Sequence, residues 1–573
     1  MAIIEELNRR GVIRAAALYV AIAWGGTEIL VFLIDALQGE QVAGPFRKYL
    51  AILFIAGFPV AMYLAWTRDL GLRARRVVAA GAMAAVLVGL LIWLVPEPSP
   101  APGKTEASFN DINPKSIAVL PFVNMSDDAD NIYFSQGISE ELLNVLARLP
   151  GLKVSSRTSS FHFAGRDVPL QEIAAQLAVR HILEGSVRKS GNTVRITAQL
   201  IDAQTDTHLW SDTYDREVLD TFAVQGEIAE EIVGQLELTL NEPVQTKRPT
   251  EVEEAYDKYL RGWHFLRQSW AAENMAKAAE YFTAAIELDP EYAQAHAMLS
   301  LTRTSQGNFR HLAPAEVFPA ARESVTTALE LDENLPEAHA ALGWITLSYE
   351  YDWRKAEKAF RRTAELAPSD LLGNQGLSFA LQASGRLDEA LAASRRAFEL
   401  DPLNIWPRSG LTEVYYKQHD FDAALEQLLV LLEMQPDDPL TLVSIGSLYA
   451  MKGMPEEARE YGSRAASFMG GDPNLELYIA QLHALLGEET EARTLLKQAL
   501  AQRDEMFVSP GSIAIVYTHL GEHELAIDWL YRGIEEYDSY MFNLLYPDFD
   551  ALRSHPRFIA LCEQLRMPCA ESL

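Results

Sequence analysis

Asp127-Asp-Ala-Asp130 places three acids within four residues, enough to suggest a hard cation. Its spacing does not match the alternating ligand positions of an EF-hand loop, and a solvated acidic turn would look the same. His162, His181 and His208 are scattered without metal-ligand spacing. Cys562 and Cys569 are the two cysteines, and they make no Cys-x-x-Cys pair. They are either two thiols or one local disulfide. Gly103-Lys-Thr105 lacks the upstream glycine of a phosphate-binding loop, and Gly185 and Gly191 are turn residues. Neither His-Glu-x-x-His nor Gly-x-Ser-x-Gly occurs. The expectation is therefore no catalytic residue, no cofactor and no metal, in a protein that is not an enzyme.

Glu28 is a different kind of candidate. It follows Gly25-Gly26-Thr27 inside a long apolar run, where a carboxyl is costly and either functional or engaged with a neighbouring helix. That run, from about Val12 to Leu37, is followed by others at Tyr49–Trp66 and Val77–Val95. Each approaches the roughly 20 residues that cross a bilayer as a helix. Arg9, Arg10 and Arg14 precede the first, and Arg68, Arg73, Arg75 and Arg76 separate the second from the third. The basic-loop rule places those segments in the cytoplasm. Residues 1–95 thus read as a membrane anchor of three transmembrane helices, in contact with lipid through residues 12–95. The bulk of the chain would then lie outside the cytoplasm. Residues 96–114 open with alternating proline, a semi-rigid linker.

The net charge of −30 is uneven. Residues 1–105 carry ten Lys/Arg against seven acids, so the acidity belongs to the remainder. Such a body repels nucleic acid and leaves protein partners open.

Residues 115–241 read as a small α/β domain in the order β-α-β-α-β-β-α. Ser116–Phe122 is a short buried strand, and 181–189 and 193–202 form a hairpin joined at Ser190-Gly-Asn192. Ile117-Ala-Val-Leu-Pro-Phe122, Phe134-Ser-Gln-Gly-Ile-Ser-Glu-Glu-Leu142, Ile182-Leu-Glu-Gly-Ser-Val187 and Leu209-Trp-Ser-Asp-Thr-Tyr-Asp-Arg216 occur in that order. In these blocks the segment resembles the TolB amino-terminal-like domain. The resemblance implies a protein-contact module outside the inner membrane of a Gram-negative bacterium, without catalytic residues. TolB continues into a β-propeller; this chain continues into helical repeats.

Ala356, Ala390, Ala424, Ala458, Ala492 and Ala526 recur at steps of 34 residues. A small side chain at each lets two helices approach closely. Pro368, Pro402 and Pro436 follow twelve residues after an alanine, and Phe360 and Leu428 follow four after. Leu288-Asp-Pro290 and Leu400-Asp-Pro402 end helices in the same style. This pattern resembles the tetratricopeptide repeat. It implies about eight helical hairpins over residues 252–543 and a cap over 544–573. The predicted fold is multi-domain: transmembrane helices, a small α/β domain, then an α-solenoid.

In that family, first-helix residues line a concave groove that holds proteins or peptides. Carried over, the groove consists of Gln375, Phe379 and Gln382, then Trp406, Ser409, Glu413 and Tyr416, then Leu440, Val443 and Ser447. The resulting expectation is an inner-membrane-anchored scaffold or adaptor with its bulk in the periplasm and no nucleic-acid partner. The alternative is a membrane signal transducer. With only about a dozen residues before the first apolar run, it would act through a separate cytoplasmic output protein. Partner identity and oligomeric state stay open.

Overall fold

The computed structural model describes residues 112–126, 131–166, 168–238, 240, 248–269, 271–468 and 471–569. Glu28, the three apolar runs and the acidic Asp127–Asp130 cluster lie outside these residues.

Six strands form one sheet in the order β3-β1-β4-β5-β6, with β2 pairing β4 off that path. They are β1 Ser116–Val119, β2 Val123–Asn124, β3 Lys153–Val154, β4 His181–Ser190, β5 Thr193–Asp202 and β6 Thr207–Glu217. β1 runs parallel to β3 and β4, whereas β4, β5 and β6 are antiparallel neighbours. Gly191 adopts φ +58° in the two-residue turn between β4 and β5. Such a turn needs positive φ, which glycine adopts without a Cβ penalty. One face of the sheet carries α1 (Ile132–Ala147) and α4 (Thr221–Gln235), whose Ile138, Leu142, Ile228 and Ile232 are buried. The short α2 (Arg157–Phe161) and α3 (Leu170–Leu177) complete the domain, and Ile173 and Leu177 pack on Ile182.

Sixteen helices then pair as hairpins: α5 Glu253–Gln268 with α6 Ala272–Leu288, and α7 Ala293–Asn308 with α8 Pro314–Leu331. Next are α9 Pro336–Ser348 with α10 Trp353–Leu366, α11 Leu371–Ala383 with α12 Leu387–Leu400, and α13 Ile405–Lys417 with α14 Phe421–Met434. The last are α15 Pro439–Met451 with α16 Pro455–Ala466, α17 Pro473–Leu485 with α18 Glu489–Ala501, and α19 Pro510–His519 with α20 His523–Glu535. The six alanines of the 34-residue period are all fully buried at helix crossings. Helix starts are fixed locally. Asp352, Asp370, Asp420, Asp438 and Asp472 each accept a first-turn N–H with a side-chain oxygen. Phe360 of α10 fills the space left by Gly343 and Gly376; a Cβ at either would lie within 2.5 Å of its ring.

After α20 the chain makes two 3-10 turns, Ser539–Asn543 and Pro547–Leu552, and ends in α21, Pro556–Leu565. A disulfide joins Cys562 to Cys569.

The predicted fold class, which led with transmembrane helices, is corrected to a small α/β domain followed by a helical solenoid. No helix among the described residues is long and apolar enough to cross a membrane. The longest, α8, has 18 residues and bears Glu316, Arg322, Glu323 and Glu330. These helices are amphipathic: one stripe packs and the other meets water. The same finding corrects the expected multi-pass placement in a bacterial inner membrane with a periplasmic bulk.

Candidate functional site: the inner face of the array

First helices of the hairpins converge on one segment of the same chain. Asp548, 3% exposed, accepts hydrogen bonds from Tyr416 Oη at 2.8 Å, Gln481 Nε2 at 2.7 Å and His519 Nε2 at 2.8 Å. The donors come from α13, α17 and α19. Residues so far apart in sequence meet one carboxylate only because the stacked hairpins curve around it. That curvature identifies their shared face as the inner one.

Lys417 lies beside this contact, with no solvent exposure. Its ammonium donates to Gln382 Oε1 at 2.9 Å and Asn543 Oδ1 at 3.0 Å, and lies 4.9 Å from the Tyr546 ring centroid. Burial pushes its pKa down to about 8, against the attraction of Glu413 one helical turn earlier. Burial likewise raises the Glu413 carboxyl, which Lys417 and the Tyr546 hydroxyl partly offset. Aromatic rings close the floor: Phe379 meets Phe542 at 5.8 Å and Trp344 at 5.6 Å, and Tyr416 meets Tyr546 at 5.1 Å. Asp538 anchors the start of this C-terminal strap, residues 538–569, by accepting from Ser509 Oγ at 2.6 Å and Gly511 N at 2.8 Å.

The predicted groove residues divide. Phe379, Gln382, Glu413 and Tyr416 are brought together against the C-terminal strap. Gln375 is buried, and Val443 packs with Leu442 and Ala458. The Ser409 hydroxyl donates to the Ile405 carbonyl of its own helix. Trp406 is half-buried with Phe309 at 5.5 Å. Leu440 is 42% exposed, and Ser447 is half-buried. Sequence reasoning missed Lys417, Gln481, His519, Asn543 and Asp548. A polar, aromatic run such as Tyr546-Pro-Asp-Phe-Asp550 inside a segment read as a cap was the one available signal.

The α/β domain packs along the rim formed by the turns between hairpins. Asp401 accepts from the backbone N–H and hydroxyl of Ser159, at 3.1 and 2.6 Å. Ser369 Oγ donates to the Leu152 carbonyl and accepts from Val154 N. Buried Glu140 pairs with Arg157 at 3.1 Å and with Arg267 of α5. Among the described residues no group of three or more His, Cys, Asp or Glu could hold a metal ion.

Two tetratricopeptide repeat models match residues 381–440 and 413–476, within the hairpins α11 to α17. The array is built of tetratricopeptide repeats. The Rhizobium meliloti (strain 1021) protein named "Putative adenylate cyclase 3" is 41% identical over 189 residues, covering 32% of this chain and 32% of that protein. The Bacillus subtilis (strain 168) TPR repeat-containing protein YpiA is 27% identical over 190 residues, covering 32% of this chain and 41% of that protein. The chain therefore spans well under half the length of either curated relative it matches. Among solved structures, that of Pseudomonas aeruginosa pilF covers 41% of this chain and 98% of its own, with a TM-score of 0.31 and 20% identity.

Proposed function

We propose that the chain is a protein-binding scaffold that holds partner segments on the inner face of its repeat array. One observation carries this reading: that face already grips a protein segment through side chains of several hairpins. The strap around Asn543, Tyr546 and Asp548 is held by Tyr416, Lys417, Gln481 and His519. The chemistry so matched is a carboxylate among aromatic rings. In this chain the strap takes part of that surface. The part left for a partner lies at α13 and α15, where Trp406, Ser409, Leu440 and Ser447 keep solvent access. The α/β domain serves as a second contact module.

The test is calorimetric titration of the full chain with each protein that co-purifies with it. We expect at least one to rebind, and Trp406→Ala with Leu440→Asp to weaken it by roughly tenfold, as loss of an interface anchor does. No rebinding protein, or affinity indifferent to both substitutions with the fold intact, contradicts the reading.

The Rhizobium meliloti match favours a second reading, in which the chain forms a cyclic nucleotide. In the scaffold reading, the purified chain incubated with ATP and Mg2+ releases no cyclic AMP. Release abolished by a single substitution would replace that reading with the enzymatic one.

A further inference from the structure

A recess of about 280 Å3 opens where the body of the array meets the C-terminal strap. Charged side chains dominate its lining: Asp352, Arg354, Glu357, Arg386 and Arg566. Both acids are already neutralised. Asp352 caps α10 by accepting from Lys355 N at 3.1 Å, with Lys355 Nζ 3.6 Å away. Glu357 receives Arg361 at 2.8 Å and Arg386 at 2.8 Å, and Arg386 also pairs with Glu389 at 2.6 Å. The guanidiniums of Arg354 and Arg566 remain. Neither has a side-chain hydrogen bond or ion pair among the described residues.

These two arginines are brought to one recess by a contact between their sequence neighbours. Trp353 Nε1 donates to the Leu565 carbonyl at 2.7 Å, so Arg354 and Arg566 each lie one residue from the same buried hydrogen bond. Arg566 adopts φ +55°, a left-handed conformation that costs a non-glycine residue energy. Met567 N, donating to the Cys562 carbonyl at 2.9 Å, helps fix it there. Among the described residues the fold thus holds two unpaired cations at one opening, next to the start of the 14-residue helix α10 that Asp352 caps.

We infer that this recess is a binding site for the phosphate group of a small phosphorylated molecule. Two planar guanidiniums match the bidentate geometry of phosphate oxygens. At about 280 Å3 the recess lies at the small end of ligand pockets, roughly 300–1,000 Å3, which suits a phosphate with a small substituent. Because Arg354 belongs to the array and Arg566 to the strap, the anion ties the strap to the hairpins. This inference is independent of partner binding on the inner face.

The experiment titrates the full chain with inorganic phosphate and, separately, with glycerol 3-phosphate, by calorimetry and thermal melting. We expect saturable binding of at least one with a Kd of ~1 mM or tighter. We also expect a rise in melting temperature with ligand concentration, as for any ligand selective for the folded state. Preference for inorganic phosphate identifies the free ion as the ligand, and preference for the ester a phosphorylated metabolite. Arg354→Gln and Arg566→Gln should each weaken binding by roughly tenfold, the loss of one charge-assisted pair. Arg354 is exposed, so its variant should fold even if the change at 566 disturbs the strap. Lys355→Gln, at a neighbouring cation already paired with Asp352, should retain binding. No saturable binding of either ligand, or binding that survives both arginine substitutions, overturns the proposal.

Discussion

Lys417 concentrates the energetics of the inner face. Its ammonium is fully buried and held by two amide oxygens, with Glu413 one turn away on the same helix. The two charges offset each other's burial through space across one turn, so removing one leaves the other less compensated, at a cost of about 3 kcal/mol, the lower end for a buried pair. Lys417→Met should lower the urea-unfolding free energy by an amount of that order. The double variant Glu413→Gln, Lys417→Met should regain much of it, because no isolated charge remains. Equal losses in the single and double variants would mean that packing, not charge, is decisive. A second titratable group sits where α1 meets the array. Burial, with Glu337 and Glu140 nearby, raises Glu141 from 4.5 to about 8, and burial raises Asp370 to about 6. A carboxyl whose folded pKa exceeds its unfolded value stabilises fully below the unfolded pKa and loses that contribution as pH rises through the folded one. Glu141→Gln mimics the protonated form. Its stability relative to the parent should be flat below about pH 4.5, climb to about pH 8, and level off above. Denaturant midpoints of both proteins across that range check this.

The turn inside each of the last six hairpins shows what the elements require and how much of it the sequence displayed. Tyr351, Gly385, His419, Gly453, Gly487 and Gly521 all adopt positive φ, from 51° to 76°, at successive steps of 34 residues. The alanine period is legible because small side chains mark every helix crossing. The turn period is harder to see, since tyrosine and histidine replace glycine at two of its positions. Tyr351 is retained by contacts: its hydroxyl donates to the Asp538 carbonyl at 3.2 Å. His419 is exposed, 3.7 Å from Asp550 and with its ring 5.9 Å from that of Phe421. His419→Gly should therefore stabilise by up to ~1 kcal/mol through relief of the left-handed strain. Tyr351→Gly should destabilise despite the same relief. Thermal melts of the two variants moving in the same direction would contradict this assignment. The strap was not legible for a different reason. Asp548 meets donors 132, 67 and 29 residues away, and no local spacing encodes such a contact. Which groove positions stay open is not legible for a related reason: Phe379, Glu413 and Tyr416 lie against the strap, whereas Leu440 is exposed. Helical phase gives the direction a side chain takes from its helix axis, but not whether the C-terminal strap covers it.

At the scale of the molecule, the described residues form one compact unit in which the α/β domain and the array share a core. Phe134 of α1 meets Tyr256 of α5 edge-on at 6.4 Å, and Gly137 admits Leu260 so closely that a Cβ would lie 2.7 Å from its side chain. Hydrogen bonds from Ser159 and Ser369 extend this contact along the rim. The α/β domain therefore braces the first hairpins while the strap fills the later ones, and the positions of α13 and α15 that keep solvent access define where a partner is expected. Site-directed photocrosslinking in cells tests that claim most directly, with the reactive group at position 440 on α15 or, as the control, at exposed position 426 on α14. The account predicts a distinct protein crosslinked from 440 and absent from 426, and the same protein rebinding the purified chain. Crosslinks equal at both positions, or none to another protein from 440, would contradict it.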